Sequence, residues 1–223
     1  MRLSRVVVPV LCCLAAALAY GQAPTITSIQ VESTGCEFTA GSLGQPCSIG
    51  PGMLLHIFGQ NFGQAGGGVA LCNCPDTTIV GWTPTRIAVT VDEVTTPSSI
   101  QVETYGGGYS NSVPYVALPP VITGIAVGEC RFTPNVSKRQ CAITPGTTVT
   151  ILGSYFGRYA DQVATCDCAS PTIVSWDPNW TTDPQQFNNT IVITAVDAVC
   201  GSSVMVEAGG MWSNPVPYTT CAQ

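Results

Sequence analysis

The chain has 223 residues, of which 45% are hydrophobic and only 9% charged, with 23 Gly, 17 Pro and a single His. That is enough apolar material for one or two packed cores, and the scarcity of charge argues against a helical bundle, a coiled coil and a disordered tail. The formal net charge of -6 also argues against a nucleic-acid surface, because tracking phosphates takes clustered Lys and Arg, whereas past residue 20 the basic residues are Arg86, Arg131, Lys138, Arg139 and Arg158.

Residues 1–23 open with Arg2 and Arg5, continue with the apolar run Val6 to Ala19, and offer small-residue sites at Ala17-Leu18-Ala19 and Gly21-Gln22-Ala23. This order predicts a secretory signal peptide, cut after Ala19 in preference to Ala23, since Pro24 would be an awkward first residue. The 14-residue run falls short of the roughly 20 residues that cross a bilayer. Cys12 and Cys13 lie inside the run rather than behind a small-residue lipobox, so lipid attachment is not expected. Loss of Arg2 and Arg5 leaves 5 basic residues against 13 acidic ones, a net charge of -8. The mature chain is expected to be secreted, periplasmic or displayed at the cell surface.

The remainder repeats itself. Cys36, Cys47, Cys72 and Cys74 recur 94 positions later as Cys130, Cys141, Cys166 and Cys168. The same offset carries Pro51-Gly52 onto Pro145-Gly146, the set Gly59, Phe62 and Gly63 onto Gly153, Phe156 and Gly157, and Ile79-Val80-Gly81-Trp82 onto Ile173-Val174-Ser175-Trp176. About ten extra residues, Asn179 to Asn189, then enter the second copy, so that Ile87 to Thr90 corresponds to Ile191 to Thr194. The tails also agree, Ser110-Asn111-Ser112-Val113-Pro114-Tyr115 with Ser213-Asn214-Pro215-Val216-Pro217-Tyr218. Two units are predicted, 24–118 and 119–223, joined at Leu118-Pro119-Pro120, a junction whose prolines are expected to make it stiff.

Within each unit Leu55 and Ile57, like Val149 and Ile151, alternate with His56 and Thr150, the period of a strand with one buried face. Ile87 to Val91, Ile100 to Thr104 and Val204 to Glu207 read the same way. Gly, Pro, Asn and Asp clusters separate them, and no dozen-residue window carries helical periodicity with a cap. Short strands at this spacing predict an all-β chain of β-sandwiches. The glycines of Gly-x-x-Phe-Gly are expected where positive φ or close packing is needed.

These motifs resemble the IPT/TIG family of immunoglobulin-like domains. Each unit opens on Pro-x-Ile-Thr-x-Ile (Pro24 to Ile29) or its variant (Pro120 to Ile125), continues through Pro-Gly and an apolar strand to Gly-x-x-Phe-Gly, then Ile-Val-x-Trp, and closes on Ser-Asn and Val-Pro-Tyr. The resemblance covers nearly all of residues 24–218 and looks like the bacterial exported type. It implies two tandem immunoglobulin-like β-sandwiches used for binding, spacing or adhesion, and no chemistry. The four cysteines per unit and the insert depart from the pattern.

Ten cysteines remain after export, an even number in an oxidising compartment, which predicts disulfides. In the strand order that the resemblance implies, Cys36 and Cys47 flank the A–B loop while Cys72-Asn73-Cys74 forms the C–C′ turn at the same end. Two bridges from that loop to that turn are expected, because a Cys-x-Cys bridge would close a strained ring. The alternative is Cys36–Cys47 with Cys72–Cys74. The same answer applies to Cys130, Cys141, Cys166 and Cys168, and Cys200 is expected to pair with Cys221. A zinc site would need another spacing. A redox pair would need a nearby cation, and Asp167 works against one.

His56 has Thr150 as its counterpart and is expected to be an outward-facing strand residue, so no catalytic apparatus is visible. Asp92-Glu93 and Asp161 are read as solvated turn residues rather than calcium ligands. Trp82 and Trp176 are expected to pack in the sandwich. Tyr109 and Trp212 correspond to each other at the presumed F–G turn, and with Trp180 in the insert they are the candidate ligand contacts. The sequons at Asn135, Asn179 and Asn188 bear only on a glycosylating host. The expected function is that of a non-enzymatic binding, adhesion or scaffold protein, without cofactor or metal, whose partner is a surface protein or polysaccharide. The alternative is a carbohydrate-binding accessory protein using the loop aromatics.

Overall fold

The structure is a computed structural model that describes residues 22–42, 44–64, 66–71, 77–96, 99–105, 108–135, 137, 139–159, 161–165, 171–177, 189–196 and 202–219. The apolar run of the signal segment, Cys72, Cys74, Cys166, Cys168, Cys200, Cys221 and Trp180 lie outside the described residues.

Among the described residues every regular element is a strand. The first repeat contributes β1 (Thr25–Val31), β2 (Cys36–Thr39), β3 (Ser48–Ile49), β4 (Leu54–Gln60), β5 (Gly67–Leu71), β6 (Thr77–Trp82), β7 (Arg86–Val91), β8 (Ser99–Thr104), β9 (Gly108–Tyr109), β10 (Val113–Pro114) and β11 (Val116–Ala117). The second contributes β12 (Val121–Val127), β13 (Cys130–Phe132), β14 (Thr148–Ser154), β15 (Gln162–Ala164), β16 (Thr172–Asp177), β17 (Asn189–Thr194), β18 (Ser203–Ala208), β19 (Met211–Trp212) and β20 (Val216–Pro217). The strands predicted at Ile87 to Val91, Ile100 to Thr104 and Val204 to Glu207 are β7, β8 and β18.

The duplication reappears as topology. A five-stranded antiparallel sheet runs β2-β1-β4-β7-β6 in the first repeat and β13-β12-β14-β17-β16 in the second. Each faces a smaller sheet, β10-β8-β5 with β9 on β8, and β15-β18-β19 with β20 on β18. Alternation decides which side chains enter the space between. Leu55 and Ile57 of β4 lie opposite Val89 and Ile87 of β7, and all four are buried. From the smaller sheet Val69, Leu71, Ile100 and Val102 close the same cluster. Val149, Ile151, Ile191, Ile193, Val204 and Val206 repeat the pattern in a second cluster. Each fully buried Val, Leu or Ile contributes about 1.5–3 kcal/mol, which accounts for two cores held by short strands with few charges.

Both expectations for Gly-x-x-Phe-Gly hold, at different glycines. A β-carbon on Gly59 would collide with the Thr25 carbonyl and the Phe62 ring, and Gly153 stands in the same relation to Val121 and Phe156. Gly63 and Gly157 instead adopt φ of 74° and 77°, a region that side chains disfavour. Trp82 and Trp176 are half-buried against the Phe rings, at centroid distances of 6.4 and 6.3 Å. Their indole N–H groups donate to the carbonyls of Phe62 and Gly157.

At the described cysteines the pairing is the alternative one rather than the first choice. Cys36 bonds to Cys47, and Cys130 to Cys141. The reason is the β1–β2 hairpin. β2 folds back along β1, placing Cys36 opposite Val31, and the loop then returns to Cys47 with the two Cα atoms 5.9 Å apart, a distance a disulfide spans. The predicted bridges from the A–B loop to the C–C′ turn are therefore corrected at Cys36, Cys47, Cys130 and Cys141.

Candidate functional site

The hairpins of the smaller sheets carry the candidate aromatic residues. In the first repeat β8 and β9 pair antiparallel with Glu103 directly opposite Tyr109. In the second, β18 and β19 place Glu207 directly opposite Trp212. Directly opposed residues share a face, with β-carbons about 4.5–5.5 Å apart. Both repeats thus present one carboxylate beside one aromatic ring. Tyr109 is 59% exposed and Trp212 43%. The inward neighbours Val102 and Val206 are buried, so alternation turns Glu103 and Glu207 away from the core. Tyr105, where β8 enters the hairpin turn, is 93% exposed. It was not among the predicted contacts, although an aromatic residue where a strand meets a run of glycines is a signal the sequence carries.

The Ser-Asn motif of each tail fixes these hairpins. Ser110 accepts a hydrogen bond on Oγ from the Val102 amide, at 2.9 Å, and donates to the Asn111 carbonyl, at 2.8 Å. Asn111 accepts on Oδ1 from the Ile26 amide, at 2.7 Å, and donates through Nδ2 to the Ile26 carbonyl, at 3.1 Å. Its amide thereby does for Ile26 what a neighbouring strand would do. Ser213 and Asn214 repeat the arrangement on Val206 and Ile122.

A second constellation joins the repeats. Arg158 Nη1 donates to Asp92 Oδ2 and Thr78 Oγ1, at 3.1 and 3.2 Å, and the Arg158 amide donates to the Asp92 carbonyl, at 3.1 Å. Asp92 is 5% exposed, so the expectation of a solvated turn residue is corrected there. A buried carboxylate needs paired donors, and Arg158 and Thr78 supply them. Beside this pair the Tyr155 ring covers Gly50, where a β-carbon would approach it to 2.6 Å. Gly209 lies against the Val94 carbonyl so closely that no side chain fits, and Met211 packs on the core of the first repeat. Burial pushes the Tyr155 phenol above its ordinary pKa.

Tyr155 sits at φ 63°, and its counterpart Asn61 at φ 62°. Asn tolerates this left-handed conformation, whereas Tyr carries a cost there. The second repeat bears that cost where its ring seals the joint. The joint residues are also those that break the duplication. Gly50, Asp92, Tyr155, Arg158 and Met211 stand where the other repeat has Thr144, Val196, Asn61, Gln64 and Gly108. A comparison of the two copies for mismatches is the signal that marks them.

His56 lies on the outer face of the larger sheet, as predicted, but its side chain is only 13% exposed. Its Nε2 is 2.9 Å from Glu32 Oε2, and its Nδ1 accepts from Arg86 at 3.0 Å. Asp161 accepts a hydrogen bond from the Gly209 amide. Among the described residues no group of three His, Cys, Asp or Glu side chains could hold a metal, and no helix is long and apolar enough to cross a membrane.

No protein-family model matches the chain, and no curated protein matches it. Solved structures similar to it include the surface glycan-binding protein PbSGBP-B from Prevotella bryantii, at 15% identity over 88% of this chain and 42% of that one, with a TM-score of 0.40. SGBP-B from a complex xyloglucan utilization locus in Bacteroides uniformis shows 21% identity over 88% and 49%, with a TM-score of 0.29. A crystal structure with xylogluco-oligosaccharide shows 19% identity over 88% and 41%, with a TM-score of 0.33. The chain spans less than half the length of each of these three proteins.

Proposed function

We propose that the chain is an exported, non-enzymatic binding protein, an adhesion or scaffold module of two IPT/TIG-like units, and that its ligand is carbohydrate. The observation that carries this reading is the pairing of an exposed aromatic ring with a carboxylate on the same hairpin of both repeats, Tyr109 with Glu103 and Trp212 with Glu207. An aromatic face buries the apolar C–H side of a sugar ring, and a carboxylate beside it accepts hydrogen bonds from the hydroxyls. Export is supported by the two disulfides among the described residues, since such bonds persist in oxidising compartments. The packed joint gives such a module its second property, a fixed separation between the hairpins.

The test is a screen of the mature protein against immobilised polysaccharides, followed by tryptophan fluorescence with any that bind. Saturable binding that perturbs the fluorescence of wild-type protein and weakens in Trp212→Ala supports the reading. A protein that binds no glycan while retaining its native melt leaves only the adhesion or scaffold role.

A further inference from the structure

We propose that the β8–β9 hairpin is a two-ring platform for an uncharged glycan chain, formed by Tyr105 and Tyr109 with Glu103 opposite Tyr109; this rests on the carbohydrate reading and assigns its site and ligand class. Three observations meet there. First, both rings are exposed, Tyr105 at 93% and Tyr109 at 59%. Second, Tyr109 stands opposite Glu103, and Tyr105 is two residues beyond Glu103. Tyr105 begins the turn directly after β8 and Tyr109 stands in β9, so the two exposed rings flank one hairpin turn, where neighbouring sugar rings can each find an aromatic face.

Third, the neighbouring strand leaves the platform uncovered. Gly68 of β5 lies opposite Glu103 on its other side, and a β-carbon there would meet nothing within 4 Å. A side chain at Gly68 would project on the face that Glu103 and Tyr109 share, so its absence keeps the approach to the carboxylate open. The second repeat has Gln162 at the equivalent place opposite Glu207, and there the hairpin turn is engaged in the joint through Gly209 and Met211. The first hairpin is the freer of the two.

The charge of the site selects its ligand. From Ser99 to Tyr109 the sole charged residue is Glu103, and the protein as a whole is acidic. A uronic acid seated on the rings would bring a second carboxylate to about 6 Å from Glu103, which in water weakens binding about threefold. A neutral sugar meets no such opposition and gains a hydroxyl acceptor.

Affinity electrophoresis of the mature protein tests this, with hydroxyethylcellulose, xyloglucan and galactomannan as neutral probes and polygalacturonate as the acidic one. At least one neutral probe is expected to retard the wild type more than polygalacturonate does. Tyr105→Ala and Tyr109→Ala are each expected to weaken that binding about fivefold or more, with melting unchanged because these rings project from the fold. Glu103→Gln is expected to raise polygalacturonate binding about threefold at low salt, a gain that high salt erases. Retention of neutral glycan by both tyrosine variants together with its loss in Trp212→Ala would overturn the platform and leave the carbohydrate reading standing. Equal retardation by polygalacturonate would overturn the selectivity. No retardation of the wild type by any probe would overturn both.

Discussion

Arg158 of the second repeat reaches 66 residues back along the chain to the buried carboxylate of Asp92 in the first, at 3.1 Å. A carboxylate at the end of β7 is thus satisfied by a guanidinium that belongs to the next structural unit, and neither side chain has a counterpart in the other repeat. Arg158→Ala is expected to destabilise the joint by about 1–2 kcal/mol. Removing one partner of a fully buried pair costs about 3–5 kcal/mol, but the Arg158 side chain is 52% exposed, where solvent screens the interaction, and Thr78 still donates to Asp92. Spin labels on the two repeats should report a single narrow distance distribution in the wild type and a broad one in Arg158→Ala combined with Tyr155→Asn. An unchanged distribution in that double variant would remove the joint from the account.

The two asparagines of the tails predict a sharp chemical distinction. Ile26 and Ile122 are buried, and their amide and carbonyl groups are both satisfied by one side-chain amide. Asn111→Ala or Asn214→Ala leaves these groups unpaired and is expected to cost about 1–3 kcal/mol, read from urea denaturation. Asn111→Asp retains the acceptor and loses the donor, and its cost is expected to fall between those of wild type and Asn111→Ala. A cost for Asn111→Ala within error of zero would contradict the role.

Peptide mapping under non-reducing conditions is expected to recover Cys36 linked to Cys47 and Cys130 linked to Cys141. Each bridge closes a loop with a sequence separation of 11, and replacing both cysteines of one by Ser is expected to cost about 2–4 kcal/mol. Recovery of Cys36 with Cys72 or Cys74 would restore the pairing that the strand order of the resemblance implies.

His56 makes a prediction that depends only on hydrogen-bond chemistry. A guanidinium has no acceptor, so the Nδ1 that faces Arg86 carries no proton, and the Nε2–H donates to Glu32. Nitrogen chemical shifts of the ring at neutral pH are expected to show the Nε2–H tautomer. A proton on Nδ1 under those conditions would mean that the Arg86 contact is not formed in solution.

Much of this architecture is legible in the sequence because it is periodic. Alternation at Leu55, Ile57, Val149 and Ile151 identifies buried strand faces without knowledge of their partners, and the recurrence of Gly59, Phe62 and Gly63 marks a packed corner twice. The hairpin position of Tyr109 and Trp212 follows from the glycines before them. What escapes such reading depends on pairing across the chain. The opposition of Glu103 to Tyr109 is set by register, which no local window contains. The sequence leaves Cys36–Cys47 as the second of two pairings; it forms because β2 folds back on β1, a hairpin that the four-residue segment Cys36–Thr39 is too short to announce. Asp92 looks like a loop residue until Arg158 is placed beside it. The copies themselves hold the clue, since the joint lies where they differ.

The measurement that bears most directly on the central claim is a titration of the Tyr109→Ala, Trp212→Ala double variant against a neutral polysaccharide that the wild type binds, by calorimetry, with melting curves alongside. The account predicts that the double variant melts as the wild type does and loses glycan binding by at least about tenfold. Undiminished binding by a natively folded double variant would contradict it and place recognition away from both hairpins.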